Sequence, residues 1–133
     1  MSNTWYMTKE YLKRLKIDFV EYGRKTFGIP QGVTETREVE VFPGSTWITL
    51  STRLADISGM DRENRAALYE NLLRLNSSVV EVTFGVDKKN HVVVKNALPV
   101  EGITYDAFSA VYQAHISGIR LFQEKVLPWI KRS

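Results

Sequence analysis

Cysteine is absent from the 133 residues. That excludes a disulfide framework, a thiolate metal site and a cysteine nucleophile, and agrees with a reducing compartment. Long apolar runs are missing too: no stretch approaches the roughly 18 apolar residues that span a bilayer. Met1 to Thr8 lacks the basic start and apolar core of a secretory signal. A cytoplasmic location with no membrane partner is therefore expected. Histidine is scarce, with His91 and His115 alone in the chain and neither followed by a second ligand at metal-binding spacing. No metal or other cofactor is expected. The phosphate-cradling glycine loop, the dinucleotide-binding glycine pattern and the nucleophile elbow are all missing, which removes the usual scaffolding of nucleotide and acyl-transfer chemistry. The chain is expected not to be an enzyme.

Hydrophobic residues make up 44% and charged residues 25%, the balance of a folded globule. The length suits one core, so residues 1–133 are expected to form a single domain. Eighteen Lys and Arg against fifteen Asp and Glu leave a net charge of +3, too little to point to nucleic acid unless the cations cluster.

The first periodic segment opens after Thr8, read as an N-cap, and carries Leu12, Leu15, Phe19 and Tyr22 at helical spacing. Its polar side holds Lys9, Lys13 and Lys16, with Glu10 and Arg14, then Glu21 and Lys25, placed for i,i+4 pairs. Gly23, Gly28, Pro30 and Gly32 end the pattern. From Thr36 the period becomes two. Val39 and Val41 alternate with Glu38 and Glu40, and Phe42-Pro43-Gly44-Ser45 predicts a type II turn. The next strand sets Ile48, Leu50 and Leu54 against Trp47, Thr49, Ser51 and Arg53.

Ser58-Gly59-Met60-Asp61 reads as a capping box ahead of a second helix bearing Leu68, Leu72 and Leu75, closed by Asn76-Ser77-Ser78. Val80, Val82, Phe84 and Val86 then alternate with polar residues, and Asp87 to Asn90 turns the chain into a strand from His91 to Lys95. After Leu98-Pro99, Thr104 caps a long helix with the stripe Phe108, Val111, His115, Ile119, Phe122 and Val126, ending before Pro128. Ala107, Ala110, Ala114 and Gly118 beside the stripe would let that helix lie close to a neighbour. The order helix, hairpin, helix, hairpin, helix predicts an α+β fold, one antiparallel sheet built from two hairpins with helices packed against it.

Few residues offer chemistry. His115 lies on an apolar stripe and reads as a hydrogen-bonded core histidine, whereas His91 follows a turn and defaults to solvent. Glu38 and Glu40 share a strand face, where they could do acid-base work or simply face water; the second explains them with less. Trp5, Tyr6, Trp47 and Trp129 are candidate interface anchors. The cations Lys9, Lys13, Lys16, Arg24, Lys25, Lys88, Lys89, Lys131 and Arg132 keep open the alternative of a nucleic-acid-associated accessory protein, against which stand the interleaved acids Asp18 and Glu21. Nucleic acid is accordingly the second reading and a protein partner the first.

Leu72-Leu73-Arg74-Leu75-Asn76, a hairpin with a charged turn, and Ala97-Leu98-Pro99 before a capped helix together resemble the YbjN family and the related type III secretion chaperones. The resemblance implies a chaperone-like, non-enzymatic protein-binding module, a homodimer whose second helix lies at the interface. That places the protein-binding or dimer face on Leu68, Tyr69, Leu72, Leu73 and Leu75. From the residues alone, the same leucines read first as packing on their own sheet.

Overall fold

In a computed structural model of the chain, residues 3–31 and 38–132 are described, the last two by their backbone alone. Gly32 and Thr36 lie outside the described residues, as do the side chains of Lys131 and Arg132. The order is α1 (Asn3–Arg14), β1 (Val20–Tyr22), β2 (Thr26–Pro30), β3 (Glu38–Pro43), β4 (Trp47–Asp56), α2 (Arg62–Ser78), β5 (Thr83–Val86), β6 (His91–Pro99), α3 (Tyr105–Lys125) and α4 (Leu127–Arg132). All strand pairs are antiparallel in one six-stranded sheet of order β1-β2-β3-β4-β6-β5. The fold is α+β, and the two expected hairpins share one sheet through the β4–β6 ladder.

Strand alternation decides which side of the sheet is covered. Val39, Val41, Ile48, Leu50, Leu54, Val92, Val94 and Leu98 point one way and are buried, together with Leu12, Leu68, Phe108 and Phe122 of the helices. Trp47, Thr49, Ser51 and Arg53 point the other way, as expected of a sheet with one wet face. Among the described residues no helix is long and apolar enough to cross a membrane.

The first third departs most from expectation. Helix α1 begins at Asn3, and Thr8 is not its cap: it is buried inside the helix, its hydroxyl donating to the Thr4 carbonyl at 2.7 Å. The helix stops because Lys16 takes a left-handed conformation, φ 58°. Phe19 and Tyr22 therefore leave the helix, and an unforeseen hairpin, β1–β2, follows with Gly23 at φ 60° in its turn. Gly28 and Pro30 do not break structure but lie within β2. The expected i,i+4 pairs do not form. Glu10 pairs with Lys13, Glu21 with Lys9 at 2.6 Å, and the Arg14 guanidinium lies 3.9 Å from the Tyr105 ring centre.

Smaller corrections follow the same logic. Gly44 does not take positive φ, so the turn is not type II; glycine suits it because a Cβ there would meet the Trp47 carbonyl oxygen at 2.8 Å. Asp61, not Ser58, caps α2, its carboxylate accepting from the Asn64 amide at 2.8 Å. Val80 stays outside the sheet and is 94% exposed, while Val82 and Phe84 enter the core. Strand β6 continues through Leu98-Pro99. Helix α3 keeps its Thr104 cap, and of the small residues Gly118 faces the sheet closely, where a Cβ would lie 3.0 Å from Val82. Ala107 and Ala110 are exposed. The chain continues past Pro128 as α4, packed against α3.

Candidate protein-binding surface

Helix α2 packs on β5. Its apolar residues divide between two sides. Leu68 and Leu72 are buried in the core and Leu75 is half-buried against it, whereas Tyr69 is 37% and Leu73 69% exposed. The five residues expected at one interface thus include two that hold the helix to its own sheet and two that face outward. A groove of about 240 Å³ runs between the outward side and the edge strand, lined by Tyr69, Leu72, Leu73, Phe84 and Val86. Its lining is overwhelmingly apolar, with the Asn76 amide and the Tyr69 hydroxyl as its polar groups.

Asn76 was read only as a helix terminator, and its larger role was missed. Its side-chain amide donates to the Phe84 carbonyl at 2.9 Å, and its side-chain oxygen accepts from the Phe84 amide at 2.8 Å. That reciprocal pair occupies the outer backbone groups of Phe84, so the β5 edge is closed against another strand at its centre. At the opposite edge Val20 and Tyr22 are exposed.

The remaining candidates fall outside this surface. His115 is fully buried; Asn96 Oδ1 accepts at 3.1 Å from its Nδ1, and its Nε2 lies 2.7 Å from the Thr52 hydroxyl. The Asn96 amide nitrogen donates onward to the Val111 carbonyl at 3.0 Å, which fixes the amide orientation and hence the proton on Nδ1. Burial lowers the His115 pKa to about 4, so the ring is neutral and joins β4, β6 and α3. His91 is half-buried, its Nδ1 3.5 Å from the Asp87 carboxylate. Among the described residues no three metal-binding side chains converge.

Glu38 and Glu40 share the open face, but Glu38 is taken up by the Tyr22 hydroxyl, which donates to it at 2.6 Å and whose pKa is raised by that bond. The pair crosses over Gly28, where a Cβ would collide with both side chains. Of the aromatic anchors, Trp47 and Tyr6 are exposed and Trp129 is half-buried. Trp5 is buried, stacked on Phe27 with centroids 5.3 Å apart, its indole N–H without an acceptor among the described residues. Both α1 lysines are engaged by acids, Lys9 by Glu21 and Lys13 by Glu10.

The sequence pattern of the Tir chaperone protein (CesT) family matches residues 12–122. The chain belongs to that family. No curated protein matches. Among solved structures, YbjN from E. coli is similar at TM-score 0.69 and 19% identity, over 86% of this chain and 84% of that one. A chain of the HopA1–SchA chaperone–effector complex is similar at TM-score 0.63 and 17% identity, over 93% and 97%. The type III secretion chaperone SycH of Yersinia pestis, solved with a fragment of YscM2, gives TM-score 0.59 and 13% identity over 87% and 96%. These likenesses show the fold, and the expected YbjN and secretion-chaperone resemblance is thereby shown. In this CesT-family chain α4 and most of α1 lie outside the matched span.

Proposed function

We propose that this CesT-family protein is a non-enzymatic, chaperone-like module that forms a homodimer through α2 and the β5 edge and holds a segment of another protein. The observation that carries the dimer is Leu73, a large aliphatic side chain 69% exposed on the rim of an apolar groove, with the exposed Val80 just beyond the end of the same helix. A two-fold axis through such a patch lets it cover itself. Family membership and the chaperone complexes among similar folds support the holding role. Of the two sheet edges, β5 is closed by Asn76, which leaves β1 as the edge to which an extended partner segment could add.

Sedimentation velocity tests the dimer. The unmodified protein should sediment as a dimer at micromolar concentration and Leu73→Glu as a folded monomer, because the substitution brings like charges together across the axis. A monomeric parent well above micromolar concentration overturns the dimer. Hydrogen exchange tests the holding role: a co-purifying partner should protect the backbone amides of Val20 to Tyr22, and their unchanged exchange would exclude strand addition there.

A further inference from the structure

Two hollows flank Tyr69 along the outward side of α2, and its ring lines both. Toward the helix C-terminus lies the apolar groove against β5. Toward the N-terminus a second hollow of about 350 Å³ is lined by Met60, Arg62, Arg65 and Ala66 as well as Tyr69, with two guanidiniums and no carboxylate. Arg65 is held by the Ser58 and Met60 carbonyls, at 2.8 and 3.2 Å. Arg62 has no ion pair among the described residues. Of the acids nearby, Asp61 accepts from the Asn64 amide as the cap, and Glu63 sits about 100° round the helix from Arg62. The far end of the same helix has the opposite character. There Val80 is 94% exposed, and Glu81 beside it is exposed with no ion pair among the described residues. The last cation of α2, Arg74, is already answered by Glu70 at 2.8 Å. The helix dipole adds to this polarity, positive at the Arg62 end and negative at the Val80 end.

A second copy of the chain is the occupant that this polarity fits. Packed parallel, two α2 helices would set Arg62 against Arg62, Glu81 against Glu81 and like helix ends together. Packed antiparallel about a two-fold axis, each cationic end meets the anionic end of the other copy, and the two dipoles run in opposite, favourable directions. The exposed apolar pair places the axis. With the axis between Tyr69 and Leu73, Leu73 of one copy lies beside Tyr69 of the other. Val80, as far along the chain from that axis as Arg62, then arrives at the hollow of Met60, Arg62 and Ala66. We infer that α2 pairs antiparallel with α2 of a second copy, whose Val80 enters the N-terminal hollow and whose Glu81 pairs with Arg62, and that this charge pair fixes the register and favours self-association. The inference rests on the proposed dimer and adds its orientation and the residues that decide it.

Arg62→Glu and Glu81→Arg test the pairing in the full chain, by sedimentation equilibrium and native mass spectrometry. Both side chains are exposed, and an acid in the first turn of α2 suits the helix dipole, so both variants should fold as stably as the parent in dilute solution. Because the two-fold repeats every contact, each reversal turns two attractive pairs into two repulsive ones. Self-association should weaken about tenfold or more at low salt, and high salt should narrow the difference. Mixed in equal amounts, the two variants should associate with each other as tightly as the parent does with itself, since every opposing pair then has unlike charges. The mass spectrum should show the heterodimer in place of either homodimer. A parent dimer that is lost in Leu73→Glu but unchanged by both reversals, or reversed variants that fail to recover on mixing, would overturn the antiparallel register and leave the α2 dimer standing. A monomeric parent would overturn both.

Discussion

Helices α2 and α3 are both rich in apolar residues, yet they use them differently. Helix α3 turns Phe108, Tyr112, His115, Ile119 and Phe122 into the core and satisfies the buried His115 ring through Thr52 and Asn96. Helix α2 buries only Leu68 and Leu72 and leaves Tyr69 and Leu73 outside. A helix that spends its apolar face on its own sheet builds the fold; one with apolar surface left over has something to offer a second molecule. The contrast makes quantitative demands on each helix.

The largest effect should come from α3. Phe122 is fully buried, so Phe122→Ala removes a large side chain from a packed core and should cost about 3–5 kcal/mol, enough to unfold much of a marginal domain. Denaturant titration measures it, and a loss below about 1 kcal/mol would mean that α3 is not the main structural helix.

Next is the pH dependence of the His115 site. Its pKa is about 4 in the fold, against about 6.5 in an unfolded chain, so between those values only the unfolded chain takes the proton. Stability is therefore complete above pH 6.5, falls as pH drops through that window, and loses about 3 kcal/mol from this group by pH 4. Denaturant midpoints at pH 7 and pH 5 should differ in the parent and differ much less in His115→Gln. An equal slope in both would show that the ring is not buried neutral.

Asn76 ties α2 to the sheet edge. Asn76→Leu removes two hydrogen bonds to Phe84 and should cost about 1–3 kcal/mol, since each typical bond contributes about 0.5–1.5 kcal/mol. Amide exchange at Phe84 should quicken at the same time. Unchanged exchange would mean that another group seals that edge.

Much of this division was legible in the residues, and the failures have physical causes. Thr104 and a stripe at three- and four-residue spacing defined α3, and the β5–β6 hairpin announced itself by alternation around Asp87 to Asn90. Phe19 and Tyr22 continued the helical spacing from Leu15, but the spacing carried no sign that Lys16 would turn left-handed and start a strand. Val80 is in phase with Val82 and Phe84, yet pairing with β6 begins only at Thr83, after the chain has crossed from the end of α2. The surplus of leucine on α2 was visible; which leucines the sheet would claim was not, because that depends on the angle at which the helix meets β5. Asn76 could be recognised as a helix terminator, but its bond to Phe84 depends on a strand eight residues away.

The smallest effect should belong to Leu73, and its dependence on concentration is what makes it informative. At 69% exposure the side chain contributes little to its own monomer, so Leu73→Ala should change monomer stability by no more than about 0.5 kcal/mol. A dimer changes the outcome, because a partner that binds only the folded state raises the unfolding temperature as protein concentration rises. The parent should then unfold at higher temperature when concentrated, and Leu73→Ala should weaken that rise while matching the parent in dilute solution. A loss that is the same at every concentration would mean that Leu73 serves the monomer core after all, and α2 would then resemble α3. If neither protein's unfolding temperature moves with concentration, α2 keeps its surplus apolar surface, but a second copy of the chain does not cover it.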